Sequence, residues 1–319
     1  MKAYITPTAS SVRCKICTDV SSQWFSQFCP DPKRTLPALS QILSLSNNMN
    51  NPALYATANT LQRGDAEDVI RDFFHLVRWS PDGGDNILDV GCGDGGVMIN
   101  ILQKHLPKNF GKLVGSDLSS KMIEYANALY KSSKIEFHVL DIAGELNFDE
   151  RGSYNHLFSF NCLHWVQDQR SAIRNINELL KAGGDCVLSF MARNEMFNVF
   201  KTLAANPRWT PYMQDYVKFV SPYHYSSNPK EEFANLMLES GFKNIQVECK
   251  EKIYYLHDIQ IFREKRDDNV IKCMFFKCVK KCFFLNKMAY VNFKLLYGAD
   301  HFGKYENFKR FRFYVRRKN

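Results

Sequence analysis

The sequence predicts an α/β protein built on a doubly wound, mainly parallel sheet. Three observations lead there. From Ile87 onward, short apolar runs alternate with segments of helical period, the order that produces parallel strands joined by right-handed crossovers. The first of these runs, "ILDVGCGDGG" (87–96), passes from a strand into a glycine-rich turn. Acidic residues, Asp117 and Asp141, then stand where the next two strands end. In an open sheet of this kind ligands lie outside the carboxyl ends of the strands.

Taken in order, residues 1–48 show no sustained period, and we expect a poorly ordered extension there. In "NTLQRGDAEDVIRDFFHLV", Ala66, Val69, Ile70, Phe73, Phe74 and Val77 recur at helical spacing, with Asn59 or Thr60 as the cap. "NILDV" is a buried strand, and residues 95–106 form a helix through Val97, Met98, Ile101 and Leu102. "KLVGSD" is the second strand. "SSKMIEYANALY" is a helix burying Met122, Ile123, Ala126 and Leu129. "IEFHVLD" and "YNHLFSFN" are strands three and four. "RSAIRNINELLK" is a helix stopped by Gly183 and Gly184, since glycine readily takes the left-handed conformation that ends helices. "DCVLSFM" is the fifth strand, "PKEEFANLMLESGF" a helix with an early proline, and "NIQVECKEKIYYL" strand-like. Beyond residue 258 the pattern breaks into a basic, aromatic-rich tail (259–319), in which "FRFYV" alternates like one late strand.

Charge follows the same division. Residues 260–319 carry 16 Lys and Arg against 5 Asp and Glu, whereas the other 259 residues carry 26 against 28. The basicity therefore belongs to the tail, and no nucleic-acid partner is expected for the domain. No stretch resembles a secretory signal, and no apolar run is long enough to span a membrane. Weak surface association of the basic tail is the most we expect. The 10 cysteines lack a secreted context, so reduced thiols and a cytoplasmic location are expected. Cys14, Cys17 and Cys29 do not assemble four metal ligands with a nearby histidine, so no metal is expected.

The glycine turn is informative about its ligand. Its spacing, "DVGCGDG", is not the G-x-G-x-x-G of a pyrophosphate-binding turn, and Asp94 inside it would repel a pyrophosphate. A ligand with a ribose and an adenine but no phosphate suits it better, and S-adenosylmethionine is such a ligand. Gly91, Gly93 and Gly95 allow close backbone approach. Asp89 orients the loop or meets a cationic group. Asp117, 22 residues after Gly95, is placed to accept hydrogen bonds from the ribose hydroxyls. Asp141 with Ile142 is placed to receive the adenine amino group and cover one ring face.

"ILDVGCGDG", "LVGSDLSSKMIEYA", "VLDI", "FSFNCLHWVQDQR" and "LLKAGGDCVLSF" together resemble a class I S-adenosylmethionine-dependent methyltransferase. Finer features resemble the insect juvenile hormone acid O-methyltransferases: "MNNPALYATANTLQRGDA", "CLHWVQDQRSAIRNI", "NPRWTPYM" and "FVSPYHYSSNPKEEF". The similarity covers roughly 49–258. It implies methyl transfer to the carboxylate of a sesquiterpenoid acid, such as farnesoic acid or a juvenile hormone acid. It also implies that Gln62 and Trp165 meet that carboxylate. A carboxylate is already ionised near neutral pH, so no general base is required. His164, in the pocket, has two readings that stay open at this point: a catalytic base, which a carboxylate does not need, or an orienting or packing residue. The segment near 190–225 offers an apolar lid, with Met191, Phe197, Tyr212, Phe219 and Tyr223 as candidate pocket walls. The competing readings are a methyltransferase for another small carboxylic acid and an inactive S-adenosylmethionine-binding homologue. The chain departs from the resemblance at "IQIFREKRDDN". The C-terminal edge of the sheet is accordingly expected to be incomplete unless "FRFYVRR" substitutes for its closing strand.

Overall fold

The computed structural model describes residues 52–207, 210, 213–253 and 307–317. The 1–48 extension, most of the 259–319 tail and Tyr212 lie outside the described residues. The chain enters through α1 (Pro52–Ala58) and α2 (Thr60–Phe73), and then alternates. β1 (Ile87–Val90) leads through a π-helical turn, Met98–Leu102, into the short α3 (Gln103–His105). There follow β2 (Leu113–Asp117), α4 (Ser120–Tyr130), β3 (Ile135–Val139), β4 (Tyr154–Phe160), α5 (Gln169–Leu179) and β5 (Leu180–Asn194). α6 (Glu195–Ala205), α7 (Pro229–Glu239), β6 (Phe242–Ile253) and β7 (Asn307–Arg317) complete it.

The seven strands lie in the order β3-β2-β1-β4-β5-β7-β6. β1 to β5 are parallel, and β7 runs antiparallel between β5 and β6. The order reverses at β1, with β2 on one side and β4 on the other, which makes the carboxyl end of β1 the switch point of the sheet. The "FRFYVRR" segment does substitute for the missing strand. The strand that contains it, β7, pairs with β5 from Asp185 to Asn194 and with β6 from Phe242 to Ile253, so the sheet has its full seven strands.

Both faces of the sheet are covered, and the alternation of strand side chains decides which residue goes where. Ile87 belongs to a cluster with Ala66, Val69, Ile70 and Phe73 of α2. Its neighbour Leu88 belongs to the opposite cluster with Ile173 and Ile176 of α5 and Phe233 of α7. Fully burying a side chain of this size contributes about 1.5–3 kcal/mol, so the two clusters dominate the stability of the domain.

Three elements depart from the sequence expectations. The 95–106 helix is only the π-helical turn and α3. The 169–179 helix does not run on to the glycines: β5 starts at Leu180, and Gly183 and Gly184 lie inside it. They sit where the β4–β5 register shifts, between the Tyr154–Leu180 and His156–Asp185 pairs. Gly183 has φ +77°, and a Cβ on Gly184 would stand 2.8 Å from the Asn155 carbonyl oxygen. The third departure is Leu129, which is 54% exposed. α4 is rotated by its neighbour Asn127, whose amide donates to the Phe137 carbonyl at 2.8 Å and accepts the Phe137 N–H at 3.3 Å. Two hydrogen bonds into β3 outweigh one leucine's burial.

At the amino ends of the strands a buried polar cluster forms. His156 Nδ1 lies 2.7 Å from Asp185 Oδ1, and its Nε2 lies 3.4 Å from Asp85 Oδ2. Asp85 also accepts the Ser80 hydroxyl and N–H, and Asp185 accepts the Arg78 N–H. The Trp79 ring covers His156 at 4.4 Å between centroids.

Candidate functional site

The glycine turn follows β1 at the switch point. Gly91, Gly93 and Gly95 all take positive φ, at 75°, 59° and 77°. A Cβ on Gly91 would fall 2.3 Å from the Cys162 Sγ, so the turn can lie against the end of β4 only without a side chain there. Asp117, the last residue of β2, braces the turn. One carboxylate oxygen accepts the Gly93 N–H at 2.9 Å and the other accepts the Ser119 N–H at 3.0 Å. Each oxygen keeps a lone pair for a further donor. Asp94 is buried and accepts the Gly96 N–H at 3.1 Å. Asp89 is buried within β1, one residue before the strand ends. Asp141 is exposed in the turn two residues beyond β3, where it accepts the Ala143 N–H at 3.0 Å. Ile142 is buried beside Leu88, Val90 and Val114.

The second wall is the turn after β4. Leu163–Trp165 is a single 3-10 turn, closed by the Trp165 N–H on the Cys162 carbonyl at 3.0 Å. Trp165 is half-buried, and its indole Nε1 is buried with no hydrogen-bond partner. His164 is buried, packs on the Trp165 ring at 4.5 Å, and its Nδ1 accepts the Met191 N–H at 3.5 Å.

α2 lies against both walls. Arg63 and Asp94 crowd Gly96: a Cβ there would stand 3.3 Å from the guanidinium and 3.2 Å from the carboxylate. Two residues further on, Asp65 accepts the Asn161 amide at 3.5 Å. Asp65 is also held by Lys252 of β6 at 3.0 Å, and Lys252 bonds Asp68 as well. Gln62 sits on this helix beside Arg63, and its Oε1 is buried without a partner. Buried polar atoms are nearly always satisfied, so two such atoms on elements flanking the glycine turn point to a ligand.

The lid residues divide. Met191, on β5, is 9% exposed and Phe219 is half-buried. Phe197 of α6 is fully buried, edge-on to His224 at 5.2 Å. Tyr223 stands in an aromatic trio with Phe190 and Phe233. Sequence reasoning missed Arg63, which has no motif to announce it, and Gln169. The Gln169 amide donates to the Leu163 carbonyl at 2.8 Å and the Val166 carbonyl at 2.6 Å, and accepts the Tyr223 hydroxyl at 3.4 Å. Its place in "HWVQDQ" was the available signal. Among the described residues no helix is long and apolar enough to cross a membrane.

Residues 87–184 match the family model described as a methyltransferase domain. The chain is 39% identical over 216 residues to the juvenile hormone acid O-methyltransferase of Bombyx mori, covering 68% of this chain and 77% of that protein. It is 41% identical over 219 residues to the enzyme of the same name from Drosophila melanogaster, covering 68% and 73%. Among solved structures, a putative methyltransferase from Bacillus halodurans C-125 shares the fold, with a TM-score of 0.51 at 14% identity over 78% of this chain and 99% of that one. With a glycine turn braced by Asp117 and two relatives near 40% identity, the chain belongs to the juvenile hormone acid O-methyltransferase family of methyltransferases.

Proposed function

We propose that this protein transfers a methyl group from S-adenosylmethionine to the carboxylate of a sesquiterpenoid acid, farnesoic acid or a juvenile hormone acid, in the cytoplasm. The observation that carries the acceptor end is the pair of buried, unpartnered polar atoms, Gln62 Oε1 and Trp165 Nε1. The relatives named for juvenile hormone acid support the terpenoid class.

S-adenosylmethionine, when bound, supplies an electrophilic methyl on a sulfonium cation. The residues suit such a ligand. The glycine turn admits close backbone approach, and a Cβ at Gly91 would close it. Asp117 retains acceptor capacity for ribose hydroxyls. Asp141, exposed beyond β3, is free to turn toward an adenine edge, and Ile142 backs that side. Arg63 brings a cation to the turn that complements the carboxylate of an amino-acid end.

On the acceptor side the task is orientation. The Trp165 indole N–H donates to one carboxylate oxygen, and the Gln62 amide, turned about its terminal bond, presents its NH2 to the same group. Holding that oxygen leaves the other directed at the methyl, within about 3–3.5 Å for attack. His164 fixes the Trp165 ring and takes no proton, since the substrate arrives ionised. Met191 and Phe219 provide apolar surface that excludes water from a long isoprenoid chain, with Phe197 and Tyr223 packed behind them as support.

The test is turnover. The purified protein with methyl-labelled S-adenosylmethionine is offered farnesoic acid, juvenile hormone acid, lauric acid and trans-aconitate. Methyl ester forms from the terpenoid acids and not from trans-aconitate. Turnover of trans-aconitate alone would overturn the acceptor class, and cofactor binding without turnover of any acid would overturn the enzyme.

A further inference from the structure

Trp165 sits in a turn of only three residues, and such a turn has no ladder of its own to hold a side chain at a fixed angle. What holds it is Gln169. This residue opens α5, directly after the N-cap Asp168, whose carboxylate accepts the Ser171 N–H at 3.0 Å. The first turn of a helix usually leaves a glutamine in solvent, yet Gln169 is 7% exposed. Its side chain points back under the turn. Both amide hydrogens are used, one on the Leu163 carbonyl and one on the Val166 carbonyl, at 2.8 and 2.6 Å. These two carbonyls bracket Trp165 in the chain. The remaining oxygen accepts the Tyr223 hydroxyl. Burial, with Glu232 adding to it, pushes the Tyr223 phenol well up, so it stays a donor throughout the working pH range. The amide therefore has one orientation: reversed, it would set its oxygen against two carbonyl oxygens and an N–H against a donor. A second glutamine, Gln167, ties the same turn to the Lys218 and Val220 carbonyls at 3.3 and 3.1 Å. The turn is thus anchored to the 218–223 segment from both sides.

We propose that Gln169 is a positioning residue for methyl transfer: by bonding the two carbonyls that bracket Trp165 and the hydroxyl of Tyr223, it sets the direction of the Trp165 indole N–H toward the acceptor carboxylate. The inference rests on the reading of Trp165 as the carboxylate contact. It makes Tyr223 a support for the site rather than a wall of it. It also makes the fit of the acid dependent on the 218–223 segment, through one buried amide.

Two measurements test it. The first is a cycle of Q169L, W165F and the double variant. We expect Q169L to raise the KM for farnesoic acid about tenfold, with the Kd for S-adenosylmethionine within about twofold of wild type; residues tied through one hydrogen-bond network couple on this scale. In the W165F background the same change adds less than about threefold, because the group it directs is gone. An unchanged KM, multiplicative effects in the double variant, or equal weakening of cofactor binding would each overturn the proposal. The second uses no substrate. With 5-fluorotryptophan replacing the four tryptophans, the Trp165 resonance is identified by its loss in W165F. Q169L shifts and broadens that resonance and leaves the other three. A Trp165 resonance indifferent to Q169L would sink the idea. If the wild-type protein methylates no terpenoid acid, the acceptor assignment fails, while the positioning role is still decided by this resonance.

Discussion

The two ends of the sheet treat polar groups in opposite ways. At the amino ends, Asp85, His156 and Asp185 are each at most 3% exposed and sit in a ring of polar partners: His156 Nδ1 bonds Asp185, its Nε2 lies 3.4 Å from Asp85 without a hydrogen bond, and Ser80 and the Arg78 N–H bond the two carboxylates. At the carboxyl ends, Gln62 and Trp165 are half-buried residues whose Oε1 and Nε1 atoms are buried with no hydrogen-bond partner. A polar cluster left half-paired in a core is costly, so the amino end is closed by necessity. The unpaired atoms at the carboxyl end carry a standing cost that only a ligand removes. On the proposed function, the difference separates a polar site made for stability from one made for binding.

That contrast can be broken from either side. The largest effect is expected at the amino end. Asp185→Ala leaves the buried His156 Nδ1 and the Arg78 N–H without their shared partner, and should cost about 1–3 kcal/mol for each in denaturant unfolding. The folded fraction should keep the wild-type KM for the acid. A raised KM at unchanged stability would show that the two ends are not independent.

Next comes Gly91→Ala. Its Cβ would meet Cys162 Sγ at 2.3 Å and force a left-handed φ on alanine. We expect cofactor affinity to fall about 100-fold, from strain of about 1–3 kcal/mol together with displacement of the turn. Adding Cys162→Gly removes the contacts with both Sγ and Cβ (2.3 and 2.4 Å) but not the dihedral, so calorimetry should show partial recovery. Full recovery would mean the φ carries no cost.

A smaller, graded effect is expected with pH. Burial draws the Asp85 carboxyl upward, but the Ser80 hydroxyl and N–H, with His156, outweigh it and hold the group below its ordinary value. A depressed folded pKa contributes stability that is present above the unfolded value, about 3.9, and is lost as pH falls through the folded one. Ser80→Ala should flatten that acid limb of the stability curve; an unchanged limb would assign the effect to other carboxylates. Least of all should follow from Lys112→Ala, which breaks an exposed pair with Glu136 at 2.9 Å and should change stability by less than about 0.5 kcal/mol.

Legibility differed between the two ends for a physical reason. The glycine turn could be read because its conformation demands a residue type: Gly91, Gly93 and Gly95 each have positive φ, and that requirement is written locally. Asp117 could be read because it must end a strand at a set distance from the turn, and it does. The Asp85–His156–Asp185 cluster could not be read, since its members are separated by 71 and 29 residues and meet only when β4 and β5 pair. Gln169 and Arg63 were hidden in the same way, as ordinary polar residues on helices whose partners are backbone atoms or turns elsewhere in the chain. Leu129 was misassigned because helical period alone does not say which of two neighbouring stripes faces in; the Asn127–Phe137 bonds decide it.

By itself, then, the sequence determined the parallel α/β order, the cofactor turn and the family, because strand period, glycine dihedrals and strand-end acids are local properties. The tertiary structure alone decided that residues 307–317 enter between β5 and β6, which polar atoms stay unpaired, and that one buried amide braces Trp165. These depend on contacts between segments far apart in sequence, which no local pattern encodes.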